Sequence, residues 1–586
     1  MKLTQLAAAM AMTTASASAL AATYTVTPVP VRDISINNFA QSIDESGFTV
    51  TMTSAEFNPP IDLDFLEESG FIDNNASTFE SEDDVRQGIF SDVDYTTIVT
   101  GLLSHSTTAR NAFVYQHLTP YRSYITDTTD ADLIPGLDAW SELFDDYAHA
   151  VTTYARDSLN GDYVTGSTEG PYYELDYEDE DGNDTTYVLN DIKSTAFVSV
   201  NGETKLLASE DDTLNGLSQA FAINNNLQVV GNSMVDHIEG IDDAIEACEE
   251  EETRGDIPVE YCYRSIRVDA SSDTSTYGFR LPAVGDRSTP GVHIRATVWQ
   301  LDANGNTITT DTYPLVFEPD ADDESAYWSL AQDINDQGIA VGASSLDEIA
   351  YIRRPSGYSY ERLNVAVSYA EGETTEMLPR DENIMSEAVA INNDNWVTGY
   401  VLRAPNDTAR NRVFVYNLDT GEALYPEGFF TNAGAEGKGI NNNNIVVGSS
   451  EYDSTVDTNR ETHGFMYDIE AKEMTDLNDL LPCDSVYTIV DAIGINDSNE
   501  IIANARYRTG ERYVTGVEVI DDEGETPIDD TIIAVKLTPL ENGEVETCDI
   551  PEDEIDDVAY ERKGAAISPW WLLLTGGLLA FRRRKQ

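Results

Sequence analysis

Positive charge is what this chain has least of. Against 106 Asp and Glu stand only 34 Lys and Arg, a formal net charge of −72 over 586 residues. Five of those cations, Lys2 and Arg582, Arg583, Arg584 and Lys585, sit at the extreme ends, so the body between is more acidic still. Phosphate backbones are held by clustered Lys and Arg, and nucleic acid is therefore excluded as a partner. Histidine is sparse and scattered: His105, His117, His149, His237, His293 and His463 fall in no metal or catalytic spacing, and there is no HExxH, GxSxG, P-loop or strand-preceded GxGxxG. Only four cysteines occur, with no CxxC pair and no nearby histidine, which argues against a zinc site. Long uncharged runs are confined to the two ends. With acids this abundant no carboxylate pair stands out, so no catalytic residue and no bound cofactor is assigned.

What the chain does have is a phrase that recurs: AFAINNNLQVVG from Ala220, LAQDINDQGIAVG from Leu330, AVAINNDNWVTG from Ala388, EGKGINNNNIVVG from Glu436 and AIGINDSNEIIA from Ala492. Two β-prone runs flank an Asn/Asp cluster, which reads as a hairpin, because Asn tolerates left-handed backbone and bonds its own turn. The closing Gly231, Gly342, Gly399 and Gly448, replaced by Ala503 in the last copy, suit a bulge or a close backbone approach. A second phrase alternates with the first: AFVY from Ala112, AFVSVNGE from Ala196, ATVWQLDANGN from Ala296, AYIRRPSG from Ala350, VFVYNLDTGE from Val413, GFMYDIEAKE from Gly464 and AVKLTPLENGE from Ala534. With weaker first phrases at Ser35 and Ser158, the anchors become Ile36, Leu159, Ile223, Ile334, Ile391, Ile440 and Ile495.

Spacings near 50 residues match a four-stranded propeller blade and exceed a β-helix coil or leucine-rich repeat. The expected fold is all-β, a propeller of about seven blades (six to nine) over residues 22–550, with small helical insertions near 60–157 and 234–277. A pair of sandwiches built from β-meanders is the alternative. Trp140, Leu143, Phe144, Tyr147 and Val151 recur at helical spacing, so a helix packed by that stripe is expected beside the first blade. The Asp-box of sialidase-type propellers, Ser-x-Asp-x-Gly-x-Thr-Trp, is missing.

The ends give an address. Residues 1–21 read as a secretory signal peptide cleaved after Ala21, or alternatively after Ala19. After an acidic linker, 551–566, comes an uncharged stretch, 567–581, short for a full bilayer span, which needs about 20 residues. Trp570 and Trp571 suit the membrane interface, and the basic 582–586 suits the cytoplasmic side. A core helix is the competing reading. The paired phrases resemble HAF-type extracellular repeats of Gram-negative surface proteins over roughly residues 30–540, a family with no established activity. The tail resembles Gly-Gly type sorting signals read by an intramembrane protease. It departs from that pattern in carrying Gly564-Ala565-Ala566 before the hydrophobic segment and Gly576-Gly577 inside it. The expected location is periplasmic or cell-surface, anchored by the tail or released after processing.

An oxidising compartment makes two disulfides of the four cysteines. Cys248 with Cys262 and Cys483 with Cys548 is the sequence-neighbour pairing among three possible. The acidity reads first as a solvated saline-tolerant surface. Calcium is the alternative, with Asp179 and Asp181 in DYEDEDGND and Asp302 and Asn304 in DANGN as weak ligands that lack EF-hand spacing. Two functions remain: a non-enzymatic surface module binding a glycan or protein through one propeller face, or an exported polysaccharide hydrolase or lyase with channel carboxylates. Two carboxylates with a basic or aromatic partner at the channel mouth would favour the second.

Overall fold

The computed structural model describes residues 23–107, 113–127, 129–271, 292–320, 325, 327–455, 460–541 and 543–545. The segment expected to be a signal peptide, Cys548 and the hydrophobic tail with Trp570, Trp571, Arg582, Arg583 and Arg584 lie outside them. Among the described residues no helix is long and apolar enough to cross a membrane.

Seven four-stranded antiparallel sheets form the blades of a β-propeller in the unit Val26–Asn478 with Val486–Thr538. Their inner strands are Ser35–Ile43, Thr153–Leu159, Ser218–Ile223, Ser329–Ile334, Met385–Ile391, Ala435–Ile440 and Tyr487–Ile495, here blades 1 to 7. Blade 7 takes its outermost strand, Tyr24–Pro28, from the start of the chain, where it pairs with Ile528–Pro539. This completes the last blade and closes the ring. A second, small unit includes Asp479–Ser485; in it the Thr23 N–H donates to the Leu480 carbonyl (3.1 Å) and the Leu540 N–H to that of Thr23 (2.8 Å).

The core lies between blades. Val50, Ala155, Val164 and Phe197 join blades 1 and 2, Val341, Ala388, Val397 and Phe414 join 4 and 5, and Val31, Ala40, Ile502 and Ala534 seal 7 against 1. Small residues on the inner strands let neighbours approach, and the larger ones come from the second and third strands. The glycine of the repeat has a specific cause. Each inner strand carries a bulge, and a Cβ on Gly399 would stand 2.1 Å from the Glu387 carbonyl beside it. Gly166, Gly231, Gly342 and Gly448 meet the same obstacle.

The Asn of the phrase does more than turn the chain. In blade 5 the Asn392 Oδ1 accepts from the backbone N–H groups of Asp394 (3.1 Å) and Trp396 (2.9 Å), shaping the hairpin. Its Nδ2 donates to the Asn441 carbonyl (2.9 Å) and the Asn444 Oδ1 (2.8 Å) of blade 6. The same link runs from Asn224 to Asn335, Asn335 to Asn392, Asn441 to Asn496, and Asn496 to Asp44. The following residue adds a second circuit, for example the Asn393 N–H to the Asn442 Oδ1 (2.8 Å) and the Asn442 N–H to the Asp497 Oδ1 (2.8 Å). At blade 1 the direction reverses: the Asp44 carboxylate receives the Gly161 N–H (2.8 Å) and the Ser158 hydroxyl (3.2 Å) of blade 2.

Several expectations are corrected. The blade 1 anchor is Ile43 followed by Asp44, in place of Ile36, because the strand runs on through Phe39 and Ala40 before it turns. In blade 2 Ser158, pairing with Val164, takes the position expected for Leu159. The AFVY segment forms no blade strand; the third strand of blade 1 is Tyr121–Thr126. AYIRRPSG is likewise an extension of the second strand of blade 4, Ala340–Arg354, and the third is Gly357–Ala370. The stripe from Trp140 is a small hairpin, Trp140–Ser141 against Asp146–Tyr147, turned at Asp145 with φ 52°. Trp140 packs edge-on against Tyr147 and is 58% exposed, so alternation, not helical spacing, governs this segment. Helices do decorate blade 1, at 63–107, packed on Leu66, Phe71, Ile72, Ile98 and Leu102, and three more lie within 239–271 after the second strand of blade 3.

Candidate functional site

A cavity of about 960 Å³ is lined by all seven inner strands and is thus the central channel. Its wall is written by the bulges. A bulge re-aims a side chain, and at the bulge that all seven inner strands share stand Gln41, Arg156, Phe221, Gln332, Val389, Lys438 and Ile493, every one of them lining the cavity; the blade 7 strand has a further bulge at Val490. The scaffold repeats while this position changes from Phe to Lys. Aromatic rings from Phe39, Tyr121, Tyr154, Trp328 and Tyr400 line the same space.

The charged groups on the wall are held in hydrogen bonds and ion pairs. Arg156 donates to the Gln41 Oε1 (2.9 Å), Lys438 to the Asp491 Oδ2 (2.5 Å), and Asn411 to the Glu436 Oε1 (2.6 Å). Glu387, 1% exposed, accepts from the Gln332 amide (3.1 Å) and the Tyr400 hydroxyl (2.7 Å). Arg354 forms a two-pronged pair with Glu361 at 2.7 and 2.5 Å. The Asp491 Oδ1 and the Ser42 Oγ are buried with no hydrogen-bond partner among the described residues. Burial raises the Asp491 carboxyl even against Lys438.

Two acids occupy the inner-strand position where other blades carry Ala222, Ala390 or Gly439. Asp157 accepts the Ile223 N–H of blade 3 (3.0 Å), and Asp333 the Ile391 N–H of blade 5 (2.8 Å). Burial pushes Asp157 up to about 7 and Asp333 to about 6, each moderated by those N–H bonds. They are carboxylates with an inter-blade task, and they titrate near neutrality.

The other titratable clusters are structural. His117 stacks on Tyr172 (3.8 Å between centroids), bonds the Ala150 carbonyl (2.8 Å), and is driven down to about 4 by burial. Burial and then Arg122 hold His149 well below its ordinary value, beside Glu56. His463 stacks on Tyr452 and meets Asp476 at 2.6 Å. Asp211, Asp236 and His237 form the one cluster among the described residues whose ligand atoms could reach a metal. Both His237 nitrogens are already spent, on Asp211 (2.6 Å) and Asp242 (3.2 Å). Although burial lowers it, these carboxylates raise its pKa overall, which suits an imidazolium, not a metal ligand.

The residues singled out from sequence lie elsewhere. Asp179 and Asp302 spend their carboxylates on their own turns, on Asn183 and on Asn304 and Asn306, and Asp181 and Asn304 sit in those exposed tips. Cys248 and Cys262 form a disulfide linking two helices of the blade 3 insertion. Cys548, the expected partner of Cys483, is outside the described residues. No channel residue was foreseen. The signal was present as the one position inside the repeated phrase that does not repeat.

A family model described as "Protein of unknown function (DUF3466)" matches residues 1–584. The chain belongs to this family. No curated protein matches the sequence. Among solved structures the chain is similar to a Pyrococcus horikoshii acylaminoacyl peptidase at 9% identity and TM-score 0.35, over 80% of this chain and 49% of the peptidase. It thus spans about half that protein's length. It is also similar to an oligogalacturonate lyase in complex with manganese, at 7% identity and TM-score 0.30, over 72% of this chain and 83% of the lyase. A third likeness is to TolB from Acinetobacter baumannii, at 10% identity and TM-score 0.25, over 68% and 81%. At such distances no activity is carried across.

Proposed function

We propose that this is an exported, non-enzymatic propeller, held at the envelope by its hydrophobic tail or released from it, that binds a neutral glycan in its central channel. The observation that carries the reading is the wall itself: fixed donors and acceptors, held in hydrogen bonds to one another, among aromatic rings. Such a surface suits a polyhydroxylated ligand, whose hydroxyls exchange with paired polar groups and whose apolar ring faces lie on aromatic side chains. A polyanion would meet the −72 field.

The hydrolase or lyase reading is favoured by one observation, the near-neutral titration of Asp157 and Asp333. Their N–H bonds to the next blades give both carboxylates a structural occupation instead. A glycan array probed with the full chain, with and without calcium, tests the proposal. Retention of neutral glycans without release of reducing ends supports it; turnover of any polysaccharide sinks it.

A further inference from the structure

Among the described residues, blade 4 carries the longest strand pair. Its second and third strands, Ala340–Arg354 and Gly357–Ala370, stay paired from Ile349↔Arg362 out to Arg354↔Gly357, beyond the blade. Side chains alternate across a strand, and the register puts Ile349, Tyr351, Arg353, Tyr358, Tyr360 and Arg362 on one face. On the opposite face Ile352, 4% exposed, packs with Leu402 and Ala409 of blade 5, while Arg354 and Glu361 line the cavity.

The uncovered face should be polar in a half-solvated antiparallel ribbon. It is aromatic. Tyr351, Tyr358 and Tyr360 are 56%, 59% and 55% exposed. Their rings touch: Tyr351 lies on Tyr358 at 4.9 Å and 5° and against Tyr360 at 4.6 Å, with Arg353 over Tyr358 at 5.9 Å. In a chain with 106 acids this face has none. The strip is also continuous with the channel. At its inner end Arg362 lines the cavity and lies 4.5 Å over the Tyr327 ring, and Trp328 lines the same mouth. From Arg362 to Tyr358 the strand advances about 13 Å.

We propose that this tyrosine face is an outer binding platform for a neutral polysaccharide chain, so that the ligand of the channel is a polymer whose length extends over the blade 4 hairpin. The inference rests on the glycan reading of the channel and deepens it. Flat aromatic rings offer sugar faces an apolar surface, while the Tyr hydroxyls and Arg353 bond ring hydroxyls. The acidic surroundings select against a polyanion. A short oligosaccharide fills the channel alone; a long chain reaches both.

The test is affinity electrophoresis of the full chain through gels cast with neutral polysaccharides, followed by titration with disaccharides and trisaccharides of each polymer that retards it. The triple variant Tyr351→Ala/Tyr358→Ala/Tyr360→Ala should bind polymer about tenfold more weakly, with short oligosaccharides unaffected. The triple Tyr→Phe variant should keep most of the polymer affinity, because stacking survives. Phe221→Ala in the channel should weaken short and long ligands alike. Polymer affinity unchanged in the Ala triple, while Phe221→Ala loses it, overturns the platform and leaves the channel reading intact. Polymer affinity lost in the Ala triple but untouched by Phe221→Ala keeps the platform and removes the channel. A wild-type chain retarded by no neutral polysaccharide defeats both.

Discussion

Replacing Asn392 with Ala removes four hydrogen bonds at once, two that shape its own turn and two that reach blade 6. The site is 4% exposed, so water cannot replace all of them. Each bond contributes about 1 kcal/mol net, and a buried group left unpaired costs about 1 to 3 kcal/mol, so the variant should lose about 4 kcal/mol. Asn392→Asp separates the two tasks. It keeps the acceptor for Asp394 and Trp396 but aims a carboxylate at two oxygens, those of Asn441 and Asn444, and should cost about 3 to 5 kcal/mol near neutral pH. Blade 1 shows when Asp is tolerated here, because Asp44 faces donors from Ser158 and Gly161. The introduced acid has a folded pKa raised by burial. Its deficit should therefore shrink as pH falls and the group becomes a donor again. Urea unfolding followed by tryptophan fluorescence gives the stabilities. Asn226→Ala, which loses a turn-tip bond to the Asp336 carbonyl, should cost about 1 kcal/mol or less. If Asn392→Ala falls within about 0.5 kcal/mol of wild type, the inter-blade ring contributes nothing and the reasoning fails.

Gly399→Ala should destabilise by about 3 kcal/mol or more, since its Cβ would stand 2.1 Å from a strand carbonyl, and a urea midpoint close to wild type would contradict the bulge geometry. Asp157→Asn/Asp333→Asn should alter the pH dependence of stability. These carboxyls, raised to about 7 and 6, add stability at low pH that is lost as pH rises through those values, so wild type should weaken relative to the variant between about pH 4 and 7. Parallel curves for the two proteins would refute it. Cys248→Ser/Cys262→Ser opens a loop whose ends are 14 residues apart and should lower stability by about 3 kcal/mol in the insertion helices, read by hydrogen exchange. Unchanged protection of Glu239–Glu249 would count against that.

The blades were legible because their cause is local. Ile, Asn and Gly at fixed offsets state a strand, a turn and a close approach, and each copy repeats the statement. Insertions hid blade 1, where Asp44 replaces Asn and helices intervene before Tyr121. The stripe from Trp140 misled because five apolar residues at helical spacing also fit a tight hairpin, and Asp145 in left-handed backbone decided the matter. The inter-blade role of Asn392 was not legible, since its partner carbonyl lies 49 residues away. Nor was the channel. Lys438 and Phe221 hold equivalent positions, yet only the ring closure of seven strands turns that position into a wall. Tyr351 of the proposed platform lies in a phrase read as a blade strand, AYIRRPSG, and Tyr358 and Tyr360 follow directly after it.

Labelling of Lys438 by an amine-reactive reagent, mapped by mass spectrometry with and without a retained neutral glycan, tests the channel most directly. Lys438 lines the cavity and keeps 24% of its side chain exposed beside Asp491. Saturating glycan should protect Lys438 while leaving the exposed Lys472 fully reactive. Equal labelling of Lys438 in the presence and absence of bound glycan would place the ligand elsewhere and contradict the account.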